Sequence, residues 1–395
     1  MSIRKKRKVD QTNADVNSVV QIVHCGKPYF DLLTKMIDEA VDTIHIQIYI
    51  YDDTATGLLV SEHLIKAASR GVKIFLLVDE YASKGLSKET VQKFLDSGIH
   101  FRYFKTFVKN KYFYFGRRLH HKIIVMDATK ALIGGLNISD RYNDTPAGPA
   151  WLDFAIYLEG VTAKNLCILC WKTWKGYPQS MGITPCEKII IPAIPAAQGL
   201  PKVTMLRNDW VRRKVEISRA YHRLIRNAKT EITILSSYFL PGKPLRRLMA
   251  EATRRGIRIR VISAGHSDVM IAKEAERWLY DWLLRNKIEL YEYQPRVLHG
   301  KLGISDREWF TLGSYNINDL SAYASIELNL EVIHPEITKQ LYEEMNTLIS
   351  RDCIRITKEV RANSKNIFIQ FRQWLAYEFL RIIFYLFTFY FKQRK

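Results

Sequence analysis

Two stretches of the chain, residues 40–75 and 228–263, carry the same order of apolar and polar positions. Each begins with apolar residues at every second position, a pattern typical of a β-strand. A loop, a helix that ends near an Arg-Gly pair and a second apolar strand follow. The two glycines, Gly71 and Gly256, are the residue type favoured just past a helix C-terminus. Each stretch therefore predicts a right-handed βαβ unit on a mostly parallel sheet.

The repetition of this unit predicts an α/β fold made of two similar domains. We expect the first domain at residues 20–180 and the second at 203–350. Between them, residues 181–202 hold prolines and a glycine that indicate an irregular linker. Residues 1–19 form a basic N-terminal tail without the apolar core of a secretory signal. Residues 351–395 form a separate C-terminal segment.

Composition adds a large core and a strong positive charge to this picture. The chain has 395 residues, of which 47% are hydrophobic, and a formal net charge of +20. A protein this basic is expected to bind polyanions, either nucleic acid or an anionic lipid surface, and charge alone does not choose between them. The odd number of cysteines, five, argues against a disulfide scaffold and favours a reducing compartment. Cys167 and Cys170 form a C-x-x-C that is interpreted as part of an apolar helix face.

Each predicted domain contains the same polar signature, His-x-Lys-x4-Asp followed by Gly-[Gly/Ser]-x-Asn. On a strand, side chains two residues apart share a face, so the His and Lys point the same way and His121 points the opposite way. The small-residue pair lets backbone approach a ligand, and the Asn adds a polar contact there. A single His-x-Lys-x4-Asp arises by chance in on the order of a few per cent of chains this long. Two copies, each followed by Gly-[Gly/Ser]-x-Asn and each in a repeated unit, therefore predict one active site shared by both halves. The first copy consists of His120, Lys122, Asp127, Gly134, Gly135 and Asn137, and the second of His299, Lys301, Asp306, Gly313, Ser314 and Asn316.

These motifs are the defining pattern of the phospholipase D superfamily, which the chain resembles over most of residues 30–335. Within that superfamily it is most similar to the bacterial cardiolipin synthases. The resemblance implies two tandem phospholipase D-like domains, each a mixed sheet flanked by helices, related by a pseudo-two-fold axis. The chain departs from the family's commonest members by lacking two N-terminal transmembrane helices, and by Leu320-Ser321 where Arg-Ser is frequent. The likeness to the cardiolipin synthases rests on the runs GGLNISDRY and GSYNINDLS, on Trp151 and Asp153 in AWLDF, and on Asn329 and Glu331 in LNLE.

The paired motifs suit the exchange of one phosphodiester for another. One histidine attacks phosphorus to form a phosphohistidine, and the other protonates the leaving alkoxide and then deprotonates the incoming hydroxyl. The resemblance assigns His120 as nucleophile and His299 as acid/base, although the symmetry leaves the reverse open. The scheme requires no metal and no nucleotide cofactor.

The remaining motif residues have supporting roles in this scheme. Lys122 and Lys301 supply cations for the phosphate. Two acidic residues at matching places after the motifs, Asp153 and Glu331, are expected to orient the histidines. The motif aspartates complete the catalytic set by holding the motif in shape, and further polar contacts come from Asn137, Asn316 and Ser314.

Three reactions remain open for such a site. The resemblance favours a phosphatidyltransferase that converts two phosphatidylglycerols to cardiolipin and glycerol. If water is the acceptor instead, the enzyme is a phospholipase D. A nuclease of the same superfamily is the third possibility, because residues 101–118 mix Phe and Tyr with Lys and Arg in a way that suits base stacking. The same mixture suits a membrane-dipping edge or an ordinary strand with core aromatics.

The C-terminal residues 366–395 favour lipid over nucleic acid. Between Trp374 and Phe391 only Glu378 and Arg381 are charged, at a spacing that lets them pair on a helix. The segment is marginal in length for a span, and its two charges favour an interfacial position; a true span and packing on the protein are the alternatives. We expect a peripheral or monotopic protein on the cytoplasmic side of the inner membrane. Its expected partners are phosphatidylglycerol and an anionic membrane surface, with nucleic acid disfavoured and the oligomeric state open.

Overall fold

The computed structural model describes residues 18–104, 117–177, 182–191, 199–318, 321, 325–363 and 366–392, with backbone alone at 363 and 386–392. The N-terminal tail up to residue 17, most of the aromatic and basic stretch 101–118 and part of the linker lie outside the described residues.

The first half of the chain forms a mixed seven-stranded sheet in the order β1-β8-β7-β6-β2-β3-β4. Strands β2, β3 and β4 are parallel, whereas the pairs from β2 through β6, β7 and β8 to β1 are antiparallel. The elements are β1 Ser18–His24, α1 Lys27–Glu39, β2 Thr43–Ile48, α2 Ala55–Ser69, β3 Lys73–Asp79, α3 Lys88–Asp96, β4 His100–Phe104, β5 Arg118–Leu119, β6 Ile123–Met126, β7 Lys130–Gly134, β8 Phe154–Gly160 and α4 Val161–Trp174.

The second half forms a sheet in the order β10-β9-β16-β15-β14-β11-β12-β13-β17, and β5 of the first half pairs with β16. From β9 to β13 this order matches that of the first sheet strand for strand. The elements are β9 Lys202–Asp209, β10 Lys214–Val215, α5 Glu216–Asn227, β11 Glu231–Ser236, α6 Lys243–Arg254, β12 Arg258–His266, α7 Met270–Trp278, α8 Tyr280–Arg285, β13 Glu289–Val297, β14 Lys301–Ser305, β15 Trp309–Gly313, β16 Ser325–Ile333, α9 Pro335–Asp352, β17 Cys353–Ile356, α10 Lys358–Asn363 and α11 Ile367–Lys392.

The two βαβ units predicted from the apolar pattern are present as β2-α2-β3 and β11-α6-β12, each with parallel strands. Gly71 and Gly256 follow the helices with φ of +92° and +88°, in the left-handed region that a residue with a Cβ enters only at a cost. The prediction of an α/β fold with two mixed sheets flanked by helices is confirmed.

The largest cluster of buried apolar residues joins the two halves. It draws on β6 to β8 and α4 from the first half and on β12 to β16 and α9 from the second, with Phe154 and Phe310 among its largest members. Gly300 lies in this interface, where a Cβ would come within 2.5 Å of Leu235 and 3.3 Å of Phe154. The halves are therefore packed as one body, and the residues at their junction are held in fixed relation.

Helix α11 packs along α7, with Ala376 buried against Leu240, Ala275 and Leu279. The spacing of its two charges does allow pairing, because Arg381 Nη2 lies 2.5 Å from Glu378 Oε2. Among the residues described, no helix has both the length and the apolar character to cross a bilayer.

The described residues contain one disulfide, a single bond and not the disulfide scaffold that the cysteine count argued against. Cys167 on α4 is bonded to Cys186, with the two Cα atoms 6.1 Å apart. Cys186 belongs to a short 3₁₀ turn, Pro185–Lys188, that packs on α4. The two bonded cysteines are 19 residues apart in the sequence. Cys170, the other member of the C-x-x-C, remains a buried free thiol.

Candidate active site

The histidines of the two motifs lie at the junction of the halves and line one pocket of about 520 Å³. Each is fixed by the backbone of the opposite half. The His120 N–H donates to the Ile326 carbonyl at 3.0 Å, and the His299 N–H donates to the Leu152 carbonyl at 2.8 Å. Both motifs thus converge on a single site because each begins where its backbone is hydrogen-bonded to the other half.

A buried carboxylate from the opposite half holds each histidine. Glu327, on β16, accepts from Nδ1 of His120 at 2.8 Å, and Asp153, just before β8, lies 2.6 Å from Nδ1 of His299. Both carboxylates are almost fully buried. With each Nδ1 engaged, Nε2 is the ring nitrogen available to a ligand.

The structure corrects the expected role of Glu331. Its carboxylate pairs with Arg223 at 3.2 Å, and Glu327 occupies the place beside His120. In the sheets, Gly134 pairs with Ala155 and Gly313 with Asn329, so Asp153 and Glu327 each lie two residues before equivalent positions. Glu331 lies four residues beyond Glu327 on the same strand, a distance of about 13 Å along β16.

The motif lysines are buried beside the histidines. Lys122 Nζ donates to the His120 carbonyl at 3.0 Å, and Lys301 Nζ lies 3.0 Å from Nδ1 of His299. Burial lowers the pKa of Lys122 to about 7 and that of Lys301 to about 8. Their ammonium forms are therefore only marginally stable until an anion enters the pocket.

Burial also disfavours the charged forms of the two histidines and of Asp153. It lowers the pKa of His120, an effect that Glu327 partly opposes, and it lowers the pKa of His299 further, with Lys301 and Lys122 adding to the effect. Burial raises the pKa of Asp153 to about 7. At 2.6 Å, Asp153 and His299 form a strongly coupled pair, so a proton between them is shared by the pair.

The motif asparagines lie in the wall of the pocket. Asn137 accepts the Ile50 N–H at 3.1 Å and donates to the Tyr142 hydroxyl at 2.8 Å, and that hydroxyl lies 3.4 Å from Nε2 of His299. Asn316 accepts from the Ser237 hydroxyl at 2.7 Å. These bonds fix the amide groups at the pocket surface.

Two other predicted residues lie behind the histidines. The Ser314 hydroxyl donates to the Glu327 carboxylate, so it positions the partner of His120. His121 is fully buried, and its Nδ1 lies 3.2 Å from Gln47 Oε1, away from the pocket lining.

The motif glycines approach protein, which corrects the expectation that they admit a ligand. A Cβ on Gly135 would lie 2.4 Å from both carboxylate oxygens of Asp153, and a Cβ on Gly313 would lie 2.2 Å from the Leu328 carbonyl. The missing side chain at Gly135 therefore leaves space for the carboxylate that holds His299.

The motif aspartates lie outside the pocket lining, and their contacts are those of residues that hold the motif in shape. Asp127 accepts the backbone N–H groups of residues 41–43 at 2.8–3.0 Å. Asp306 accepts those of residues 229–231 at 2.8–3.2 Å. Each carboxylate ties the turn after the motif strand to the start of the neighbouring strand.

Replacement of Asp306 by alanine is expected to lower the free energy of unfolding by about 3 kcal/mol, from the lost charged hydrogen bonds and from alanine at the left-handed φ of +52°. The matched Asp306→Asn variant keeps an acceptor and a residue that tolerates this φ, so it should lose only about 1 kcal/mol. Urea titration measures both. A variant of unchanged stability but no activity would contradict the structural role.

Sequence reasoning missed several groups that line the pocket, namely Tyr49, Tyr81, Arg118, Arg141, Tyr142, Tyr238 and Asp268. The sequence offered a signal for Tyr142, because this residue ends the run GGLNISDRY that follows the first motif. Asp268 and Tyr238 give no motif signal; they meet through a bond of 2.5 Å between the hydroxyl and the carboxylate, across 30 residues of chain.

Comparison with known proteins identifies the family. A model of the family described as cardiolipin synthase, PLD-like domain, matches residues 33–146 and 221–349, together more than half of the chain. Cardiolipin synthase B of Escherichia coli (strain K12) is 30% identical over 367 residues, which are 92% of this chain and 87% of that protein. The chain belongs to the cardiolipin synthase family. It is a phosphatidyltransferase of the cardiolipin synthase type within the phospholipase D superfamily.

More distant relatives extend the likeness. The cardiolipin synthase of Geobacillus sp. (strain WCH70) is 26% identical over 340 residues, 85% of this chain and 66% of that protein. Among solved structures, the phosphatidylserine synthase of Haemophilus influenzae Rd KW20 matches with a TM-score of 0.69 over 92% of this chain and 93% of that one. Its sequence identity is 13%, so this likeness concerns the fold alone.

Proposed function

We propose that the protein transfers a phosphatidyl group from one phosphatidylglycerol to a hydroxyl of a second, which yields cardiolipin and glycerol. The observation that carries the proposal is the crosswise pair of histidines, each with a buried carboxylate on Nδ1 and a buried lysine alongside, facing one pocket. Two equivalent imidazoles suit a reaction in two steps, in which a phosphorus–oxygen bond is exchanged twice.

In the first step, Nε2 of His120 attacks phosphorus while His299 gives its Nε2 proton to the departing glycerol oxygen. A phosphorus–nitrogen bond forms as a phosphorus–oxygen bond breaks. Glu327 accepts the Nδ1 hydrogen of His120, which leaves the Nε2 lone pair free for attack and stabilises the charge that develops on the ring.

In the second step, Nε2 of His299 takes the proton of the incoming hydroxyl as its oxygen displaces His120 from phosphorus. The proton count is restored, and one phosphodiester has replaced another. Lys122 and Lys301 balance the charge on the phosphate oxygens in both steps. Water in place of the lipid hydroxyl gives phosphatidic acid, the phospholipase D alternative.

The activity is expected to follow a bell-shaped pH profile. The proton that His299 donates is shared with Asp153, whose pKa is raised to about 7, and the lysines are charged below their pKa values of about 7 and 8. Loss of these protons should make kcat/KM fall as the pH rises through this range. His120 attacks as the neutral form and its pKa is lowered, so the acid limb should lie below pH 6.5. Bound anionic substrate stabilises the ammonium forms, so the alkaline limb of kcat should lie at higher pH than that of kcat/KM. A constant kcat/KM between pH 6 and 9 would contradict this charge assignment.

We further propose that α11 attaches the enzyme peripherally to the cytoplasmic face of the inner membrane. Apolar side chains of this helix are exposed, and the net charge of +20 suits an anionic surface. The exposed set on α11 comprises Ile367, Phe368, Phe371, Trp374, Leu375, Phe379, Ile382 and Tyr385. A pelleting assay with vesicles tests the attachment: binding to phosphatidylglycerol vesicles and not to neutral ones is expected.

Incubation of the purified protein with phosphatidylglycerol vesicles, with mass analysis of the lipids, tests the reaction. Cardiolipin together with free glycerol is the expected result. Phosphatidic acid as the sole product would establish hydrolysis instead. If no lipid is consumed, the same protein is assayed on single-stranded DNA and RNA, and cleavage there would support the nuclease.

A further inference from the structure

Beside the catalytic pocket, α7 and α11 enclose a second concavity of about 540 Å³. Its walls are almost entirely apolar, and the two charged side chains at its edge, Glu274 and Arg372, pair with each other at 3.1 Å. The apolar lining consists of Met270, Ile271, Leu375, Ala376 and Phe379. We refer to this concavity as the apolar groove.

The same two helices also form one wall of the catalytic pocket. From α11, Leu380 and Phe384 line the pocket, one turn beyond Ala376 and Phe379 in the groove. At the start of α7, Val269 and Ala272 line the pocket, while Met270 and Ile271 line the groove. Pocket and groove are therefore neighbours separated only by the packed faces of α7 and α11.

On the proposed function, the molecule in the pocket is a phospholipid whose phosphate lies at the two histidines. Its acyl chains must then leave the polar pocket, and Leu380 and Phe384 of α11 form part of the apolar lining along which a chain can leave. From there, the exposed apolar side chains of the groove offer a surface that a hydrocarbon chain would cover.

We propose that the apolar groove binds one acyl chain of the phospholipid whose headgroup is in the catalytic pocket. Helix α11 is then part of the substrate site as well as a membrane contact. A hydrocarbon chain fits this lining better than a peptide does. The charged side chains of the lining, Glu274 and Arg372, are paired with each other, so the lining leaves the polar groups of a peptide backbone without hydrogen-bond partners. The volume lies within the usual range for sites of small molecules.

Short-chain phosphatidylglycerols, used as monomers below their critical micelle concentrations, separate chain binding from membrane attachment. For the full-length protein, kcat/KM should rise by about tenfold or more from the dibutanoyl to the dioctanoyl lipid, because longer chains bury more apolar surface. The Leu375→Asp variant places a charge in the groove and should flatten this rise to within about threefold.

Ile382→Asp is the matched control. Ile382 is 54% exposed on the same helix and Leu375 is 52% exposed, but only Leu375 lines the groove. Both variants should lose vesicle binding to a similar degree, yet Ile382→Asp should keep the rise with chain length. A rise that survives in Leu375→Asp, or that disappears equally in Ile382→Asp, would overturn the proposal.

A photolabelling experiment keeps the groove testable apart from the reaction. Monomeric phosphatidylglycerol with a diazirine on one acyl chain is irradiated with the His120→Ala protein, and the labelled peptides are mapped. Labels on the peptides that contain Ile271, Leu375 or Phe379 are expected even though this variant does not turn over. Labels spread evenly over the exposed face of α11 would overturn the groove, whereas groove labels combined with no turnover by the unaltered protein would overturn the proposed reaction alone.

Discussion

Replacement of His299 by alanine is expected to slow transfer from phosphatidylglycerol by about 10²–10⁴-fold, yet to spare a lipid that carries p-nitrophenol in place of glycerol. Glycerol alkoxide is a poor leaving group and requires the proton that His299 supplies. The p-nitrophenolate anion leaves without one. His120→Ala should lose both substrates, because no phosphohistidine can form. Release of p-nitrophenol, followed by its absorbance, measures the difference directly.

The neighbouring histidine provides a control within the same tripeptide. His121 is buried against Gln47 and does not line the pocket, so His121→Ala should keep the chemistry with both substrates, even if its thermal stability falls. If His120→Ala is the variant that spares the activated lipid and His299→Ala is not, the two roles are reversed. The near symmetry of the site makes this outcome a sharp one, since both histidines have the same kinds of partner.

The two βαβ units and the motif spacing could be predicted from the sequence because they are local. Alternation of apolar residues reports the strand, and His-x-Lys reports a shared face within three residues. The crosswise carboxylates could not be predicted in this way, because His120 and Glu327 are 207 residues apart and meet only when the halves pack. The wall that α11 adds to the pocket depends on packing for the same reason.

The error at Glu331 has a specific origin in the loops. Asp153 follows Asn137 by 16 residues, whereas Glu327 follows Asn316 by 11. The difference arises because the loop before β8 in the first half is longer and contains a 3₁₀ turn at Asp140–Tyr142. Counting forward from the motif therefore overshoots in the second half. Strand pairing is the reliable guide, since Gly134 with Ala155 and Gly313 with Asn329 fix the register on both sides.

Because this register places Glu327 beside His120, Glu327→Gln is the second substitution from which we expect a large effect. The expected loss in kcat/KM is about 10–100-fold. The carboxylate holds the tautomer of His120 and stabilises the charge that develops on its ring, and a glutamine amide does neither as well. Glu331→Gln is the matched substitution four residues along the same strand. It removes one ion pair with a half-exposed Arg223, so activity should stay within about twofold.

The pH profile separates orientation by Glu327 from general damage to the fold. Glu327 raises the pKa of His120 against the effect of burial, so its removal lowers that pKa. The neutral, attacking form of His120 then persists to lower pH, so the acid limb of kcat/KM should move to lower pH in Glu327→Gln. The alkaline limb, set by the lysines and by the Asp153–His299 pair, should stay in place. A loss of activity with an unmoved acid limb would indicate that Glu327 only maintains packing. If the acid limb moves in Glu331→Gln instead, Glu331 is the residue that orients His120, as the sequence first suggested. The two side chains lie on the same face of β16, and only Glu327 contacts a histidine of the other half, so this pair of variants tests whether catalysis depends on the crosswise contact itself.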